Sequence, residues 1–191
     1  MRIMCLALVV AISGSLGIGL ASQVRAQTQT MESPTIAVID MQEIRRKSKA
    51  VQSIERQIKQ QKSDYQKKIS EKEKQIRKED KSLSQQRTLL SDQAFKKKRN
   101  KLRQKLSQFR QDIKVQRKAL DKSYSQAMRK VQRKLIEIVQ KVAADRNLDM
   151  VLNKAAVVLV RPEMEITDPA LKRLNAQLAS VDVPAVEQTQ Q

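Results

Sequence analysis

The sequence predicts a mostly α fold with a small β base, an α+β arrangement in which a long antiparallel coiled-coil hairpin projects from a strand-rich oligomerisation subdomain. Three observations carry that expectation. From residue 41 to residue 147 there is neither proline nor glycine, and Lys, Arg, Gln, Glu, Leu and Ser dominate; such residues lose little rotamer freedom in a helix. Within this stretch apolar residues recur mostly at steps of three, four and seven, the spacing of a coiled-coil seam. Short apolar, largely β-branched runs flank it at both ends, and such runs beside breakers read as strands.

Taken in order, residues 1–26 read as a secretory signal. Arg2 is followed by an apolar stretch from Ile3 to Leu20, and Val24-Arg25-Ala26 offers a peptidase site after Ala26. The rival reading is an uncleaved anchor, but about 20 apolar residues are needed to span a bilayer, and this stretch is borderline and carries three glycines. The remaining chain of about 165 residues is the size of one ordinary domain. Pro34 precedes Thr35-Ile36-Ala37-Val38-Ile39-Asp40, a buried-strand pattern. The base is expected to be discontinuous, from 35–44 and 143–178, with the arm in 45–142.

Along the outgoing arm Ile44, Val51, Ile58 and Tyr65 recur every seven residues; Ile69, Ile76, Leu83 and Leu90 resume that step after a shift of four, a stutter that locally unwinds a coiled coil. Residues 88–92 look like the reversal, with Ser91 placed to cap the returning helix and Asp92 in its first turn. The return carries Phe95, Leu102, Leu106, Phe109, Ile113, Leu120, Tyr124, Met128, Val131, Leu135, Ile138 and Val142. The distal seam is thin and the proximal seam well filled, so a firm base should carry arms able to bend or open. After Asn147, residues 148–153 and 156–160 read as two strands, ended by Pro162. Thr167 or Asp168 could cap a last helix with Pro169 in its first turn and Leu171, Leu174 and Leu178 on one face. Residues 179–191 read as a disordered tail.

Composition narrows the chemistry. All three glycines and Cys5 lie within the first 26 residues, and the chain has no His or Trp. Beyond the signal, glycine-dependent phosphate loops, His- or Cys-based zinc sites and Ser-His-Asp catalysis therefore lack their parts. The carboxylates Glu71, Glu73, Glu79 and Asp80 are interleaved with Lys72, Lys74, Lys78 and Lys81, as on a solvated helix face. No catalytic residue, metal ligand or cofactor is expected, and the chain is not read as an enzyme.

Charge is concentrated in the arms. Residues 45–134 hold 31 Lys or Arg against 9 Asp or Glu, while the whole chain has a net charge of +19, leaving the remainder net acidic. A solvated surface is the plain explanation for any single charge run. Nucleic-acid binding is the compositional alternative, but no interleaved aromatics or groove-reading motif accompany the lysines, and an exported chain would not meet nucleic acid. The third reading is a clamp that attracts acidic polypeptides or anionic lipid surfaces by long-range steering.

Val38-Ile39-Asp40-Met41-Gln42-Glu43-Ile44, the long Lys/Gln/Glu hairpin, Leu148-Asp149-Met150-Val151-Leu152 running to Ala156-Val157-Val158, and Glu165-Ile166-Thr167-Asp168-Pro169-Ala170-Leu171-Lys172-Arg173-Leu174 together resemble the Skp/OmpH family of periplasmic chaperones. The resemblance covers nearly all the chain beyond the signal. It implies a periplasmic homotrimer whose bases share β-structure and whose hairpins surround a cavity that holds unfolded outer-membrane proteins without ATP. It carries over no catalytic residue. Client contact is expected to be diffuse, over Ile76, Leu83, Leu89, Leu90 and Phe95 with the cations Lys96, Lys97, Lys98, Arg99 and Lys101. Ile36, Val38, Val151, Leu152, Val158 and Leu159 are expected to form the oligomerisation base, with lipopolysaccharide or anionic lipid as further candidate partners. A coiled-coil adaptor or spacer of the cell envelope is the alternative from another class.

Overall fold

The computed structural model describes residues 33–185. The expected signal segment and the last six residues, 186–191, lie outside the described residues. Strand β1 (Ile36–Ile39) leads directly into helix α1 (Met41–Lys47). Asp40 joins them as a cap: its Oδ1 accepts the N–H groups of Gln42 and Glu43 at 2.9 and 2.8 Å, satisfying donors that a helix start leaves free.

The sequence predicts unbroken helix from Met41, but the structure breaks it at Ser48 and begins α2 (Lys49–Gln85) beyond it. Ser48 is fully buried and has extended backbone angles. Its N–H closes α1 on the Ile44 carbonyl, and its Oγ accepts the Val51 N–H of α2 at 3.4 Å. From the other end of the sequence, Asn175 Oδ1 accepts the Lys49 N–H at 2.8 Å. The break is thus held by tertiary capping, which helix periodicity does not reveal.

The long arm forms as the spacing requires. α2 ends in a tight turn over Gln86–Thr88, and α3 (Asp92–Asp145) returns, capped by Ser91 Oγ on the Ala94 N–H at 3.3 Å. At the tip, the Arg87 guanidinium lies 4.4 Å from the Phe95 ring centre and 3.6 Å from the Asp92 carboxylate. α3 ends with Asn147 at φ 51°, a left-handed position usually given to glycine. The Leu148 N–H then reaches back to the Ala143 carbonyl at 2.9 Å, and Asn147 N–H to Ala144 at 3.3 Å, so a chain without glycine in this region still closes the helix.

Strand β2 (Met150–Asn153) pairs in parallel with β1, Ile36 opposite Met150 and Ile39 opposite Asn153. Parallel neighbours need a crossover connection, and here the whole hairpin arm is that crossover. The other edge of β1 is taken by residues 165–166, with Ile166 N–H on the Val38 carbonyl at 2.9 Å. The expected strand over 156–160 does not form within the protomer. Lys154–Ala156 is a short helical turn, and 157–160 finds both edges of β1 occupied.

Helix α4 (Thr167–Gln177) packs back on α1 and α3. Neither Thr167 nor Asp168 caps it as expected: helical geometry already begins at Thr167, whose hydroxyl is committed elsewhere. The tail also departs from expectation. Val181 and Val183 are buried in the main apolar cluster beside Val51, Ile54, Val131, Leu135, Ile138 and Leu174. Residues 179–185 are thus packed against the arm.

Candidate functional site

Two surfaces concentrate unusual physical chemistry: the distal arms and the outer side of the base. In the distal arm Ile69, Ile76 and Leu83 are the buried side chains, all contributed by α2; α3 contributes no buried residue before Ser123. Its Leu102, Leu106, Phe109, Ile113 and Leu120 are only partly covered. A cleft of about 570 Å³ opens between the two distal helices, floored by Leu83 and Leu102 and walled by Lys78, Lys98, Lys101 and Lys105. Polar ties cross it: Lys98 Nζ donates to Gln86 Oε1 at 2.8 Å, and Lys105 pairs with Glu79.

The residues expected to touch clients thus divide. Leu89 stands 82 % exposed at the tip, and Lys96, Lys97, Arg99 and Lys101 are exposed along the return. Leu90 and Phe95 are half-buried, Phe95 beneath Arg87. Ile76 and Leu83 lie in the seam at 8 % and 9 % exposure; Leu83 shows only at the floor of the cleft, and Ile76 is reached only when the arms part. Tyr65, where the two heptad series meet, is partly covered, and that burial raises its phenol above the ordinary value.

At the base, β1 and β2 present two faces. Ala37 and Val151 turn to the helices and their apolar core. Ile36, Met150 and Leu152 lie on the opposite face and stay partly or largely exposed; Val38 shares that face but is covered within the protomer. Beside them Val158 and Leu159 are almost wholly exposed, at 106 % and 90 %. Two four-residue strands do not make an independently stable sheet, and an apolar exposed edge invites pairing.

A polar latch holds the inner end of this base. Lys154 Nζ lies 3.0 and 3.1 Å from the two oxygens of Glu165. Thr167 donates its hydroxyl to Glu165 Oε1 at 3.0 Å and accepts the Asp40 N–H at 2.9 Å. The Lys154 ammonium, with the Thr167 hydroxyl, holds the Glu165 carboxyl below its usual range, and Glu165 in turn raises Lys154. The N–H of Glu43, opposed by partial burial and aided by that of Gln42, keeps Asp40 low as well. The latch joins β1, the turn after β2, and the start of α4. Lys and Glu eleven residues apart carry no periodic signal, so the sequence did not point to it.

No group of residues among those described has the composition of a metal site, and no described helix is long and apolar enough to cross a membrane. No curated protein matches the chain. The crystal structure of a candidate outer membrane chaperone (OmpH-like) from Caulobacter crescentus CB15 shares the fold, with a TM-score of 0.76 at 18 % identity, over 84 % of this chain and 95 % of that one. The family model described as outer membrane protein (OmpH-like) matches residues 35–174, from the start of β1 into α4. The chain belongs to the OmpH-like family.

Proposed function

We propose that the protein is an ATP-independent periplasmic holdase, not an enzyme: a homotrimer whose cationic arms hold unfolded outer-membrane proteins and keep them from aggregating on the way to the outer membrane. The observation that carries this reading is the distal cleft, thinly sealed by apolar side chains and walled by lysines. Such a surface attracts acidic segments at long range and offers apolar contact in many registers once the arms part. Family membership supports the same reading, as does the chaperone description of the Caulobacter protein. The exposed Val158 and Leu159, with Met150 and Leu152, supply the apolar surface for assembly through the base.

The test dilutes denatured porin into the protein without nucleotide and follows light scattering. Suppression is expected at a threefold excess of protomers; unchanged aggregation, with saturable binding of one folded envelope partner, would favour the adaptor reading instead. For assembly, sedimentation at about micromolar concentration should give three protomers, and Val158→Asp with Leu159→Asp should give one, because burying the new charges unpaired is costly.

A further inference from the structure

The segment 179–185 lies beyond the family match, which ends at residue 174, and its mode of binding is unlike that of any other element. Val181 and Val183 are buried while Asp182 and Pro184 are exposed, the alternation of a strand. Its partner is a helix. Gln57 Nε2 donates to the Val181 carbonyl at 2.8 Å, and Gln57 Oε1 accepts the Val183 N–H at 3.0 Å. One side-chain amide thus meets the extended backbone in both directions, as a residue of a neighbouring strand would.

Gln61 lies one helical turn farther along α2. Four helical residues rise about 6 Å, close to the advance of two strand residues at about 3.3 Å each, so Gln61 is placed to repeat the pattern. It does so by half. Its Nε2 lies 3.4 and 3.5 Å from the carbonyls of Val183 and Pro184, but its Oε1 is buried and accepts no hydrogen bond among the described residues. Repetition of the Gln57 pattern assigns that oxygen the N–H of residue 185, and Pro184, with φ fixed near −65°, interrupts the repeat. Past Ala185 a cavity of about 730 Å³ continues between the arms, lined by Tyr65, Ile69, Leu120, Lys62, Arg117 and Asp121. On the α3 side, Lys130 and Arg133 line the clefts beside Asp182.

We propose that this groove is a receptor for extended polypeptide with small apolar residues at alternate positions, filled in cis by residues 181–184 and yielded to a like segment of a client. The inference deepens the holdase reading and rests on it for the identity of the ligand. Strands of membrane β-barrels alternate apolar and polar residues in this way. A client strand without proline completes the Gln61 pairing that the tail leaves half made, and it has the cavity to extend into. The tethered tail competes through its high local concentration, so exchange requires a client already held nearby.

The experiment measures anisotropy of a fluorescein-labelled peptide spanning residues 178–187. The full chain carrying Val181→Asp and Val183→Asp should bind it about tenfold more tightly than the unaltered chain, whose own tail competes. A peptide with Pro184→Ala should bind several-fold tighter again, and Gln61→Leu in the chain should erase that difference. Absent or equal binding, with helix content intact, would overturn the proposal. Should the double variant lose helix content, a nitroxide on Asp182→Cys, in a Cys5→Ser background, decides: millimolar peptide must mobilise it, and an immobile label overturns the receptor. Titrating the labelled chain with unfolded porin separates the two readings. Label release together with suppressed scattering supports exchange, and suppressed scattering with an immobile label overturns exchange alone. Unsuppressed scattering removes the holdase reading, and the peptide data alone then decide the groove.

Discussion

The proximal and distal halves of the hairpin use the same two helices, yet their interiors differ. Near the base, α2 and α3 are covered by a third layer made of α1, α4 and the 179–185 strap, and Ala50, Val51, Ile54, Val131, Leu135, Ile138 and Val142 are all buried. Farther out the described residues form no third layer, and among them only Ile69, Ile76 and Leu83 fall below a tenth exposure. Two helices in contact cover each other along one stripe, and full burial needs packing from a further side. The difference teaches that the arm is anchored by its base rather than by its own seam. Stability should therefore fall steeply from base to tip.

The largest effect expected is from Ile54→Ala. Ile54 is fully buried, and such a truncation costs about 3 kcal/mol in transfer and cavity terms. Ile76→Ala removes the same atoms from the thin seam, where the helices can close around the gap, and should cost about 1 kcal/mol, toward the low end for such losses. Urea unfolding of both variants measures the contrast. Equal losses would mean that the distal seam is as firmly packed as the base.

Acid should attack the base through its latch. Glu165 and Asp40 are both held below their ordinary values in the folded chain. Their contribution is therefore complete above the unfolded carboxyl values near 4 and is lost as pH falls through the lower folded values. Lys154 and Lys47 are raised by Glu165 and Glu43, so their contribution is complete below an unfolded value of about 10.4 and is lost as pH rises through the folded ones. The protection of the Ile166 amide, bonded to the Val38 carbonyl, measured relative to its intrinsic exchange rate at each pH, should fall on acidification below about pH 4, and Glu165→Gln should blunt that response. An acid response that Glu165→Gln leaves unchanged would place the sensitivity outside the latch.

A smaller effect tests the two serine caps. Ser48 is fully buried at the α1–α2 break, whereas Ser91 is exposed at the tip. Ser48→Ala should cost about 1 kcal/mol of global stability, the usual value of an N-cap. Ser91→Ala removes a similar bond at 3.3 Å, but it should only speed amide exchange around the reversal, because the tip opens without unfolding the base. Equal global losses would contradict a graded arm.

The same contrast marks what was legible in the sequence. The hairpin, its reversal and the thin distal seam follow from period and composition, because each is set by local spacing. The cap at Ser91 follows from residue type next to a reversal. What the sequence did not disclose depends on distant segments meeting. Ser48 breaks the helix through Asn175, the tail packs through Gln57, and Thr167 spends its hydroxyl on Glu165 and Asp40. The 156–160 run has strand chemistry, but Lys154–Ala156 winds into a helical turn where a hairpin turn would be needed, and 165–166 takes the edge of β1 that β2 leaves. For the arm, charge was readable and the seven-residue step named Ile69, Ile76 and Leu83 as seam residues; that Leu90, next in the series, stays half-buried was decided by the packing at the reversal.

The smallest expected effect concerns the cross-arm pair of Lys105 and Glu79, whose side chains are 36 % and 47 % exposed. Solvent screening at such a site leaves an ion pair worth about 0.5 kcal/mol or less, so Glu79→Gln should barely change unfolding. Salt, however, acts on every charge in the arm at once. The 31 cations of residues 45–134 face only 9 acidic side chains, and repulsion among them should outweigh the few attractive pairs. Raising salt to about 1 M shortens the Debye length to about 3 Å. Amide exchange around Ile76 and Leu83 should then slow, since relief of repulsion lets the distal arms close. Faster exchange at high salt would mean that pairs such as Lys105 with Glu79 hold the arms together, and it would reverse the electrostatic half of the contrast between base and tip.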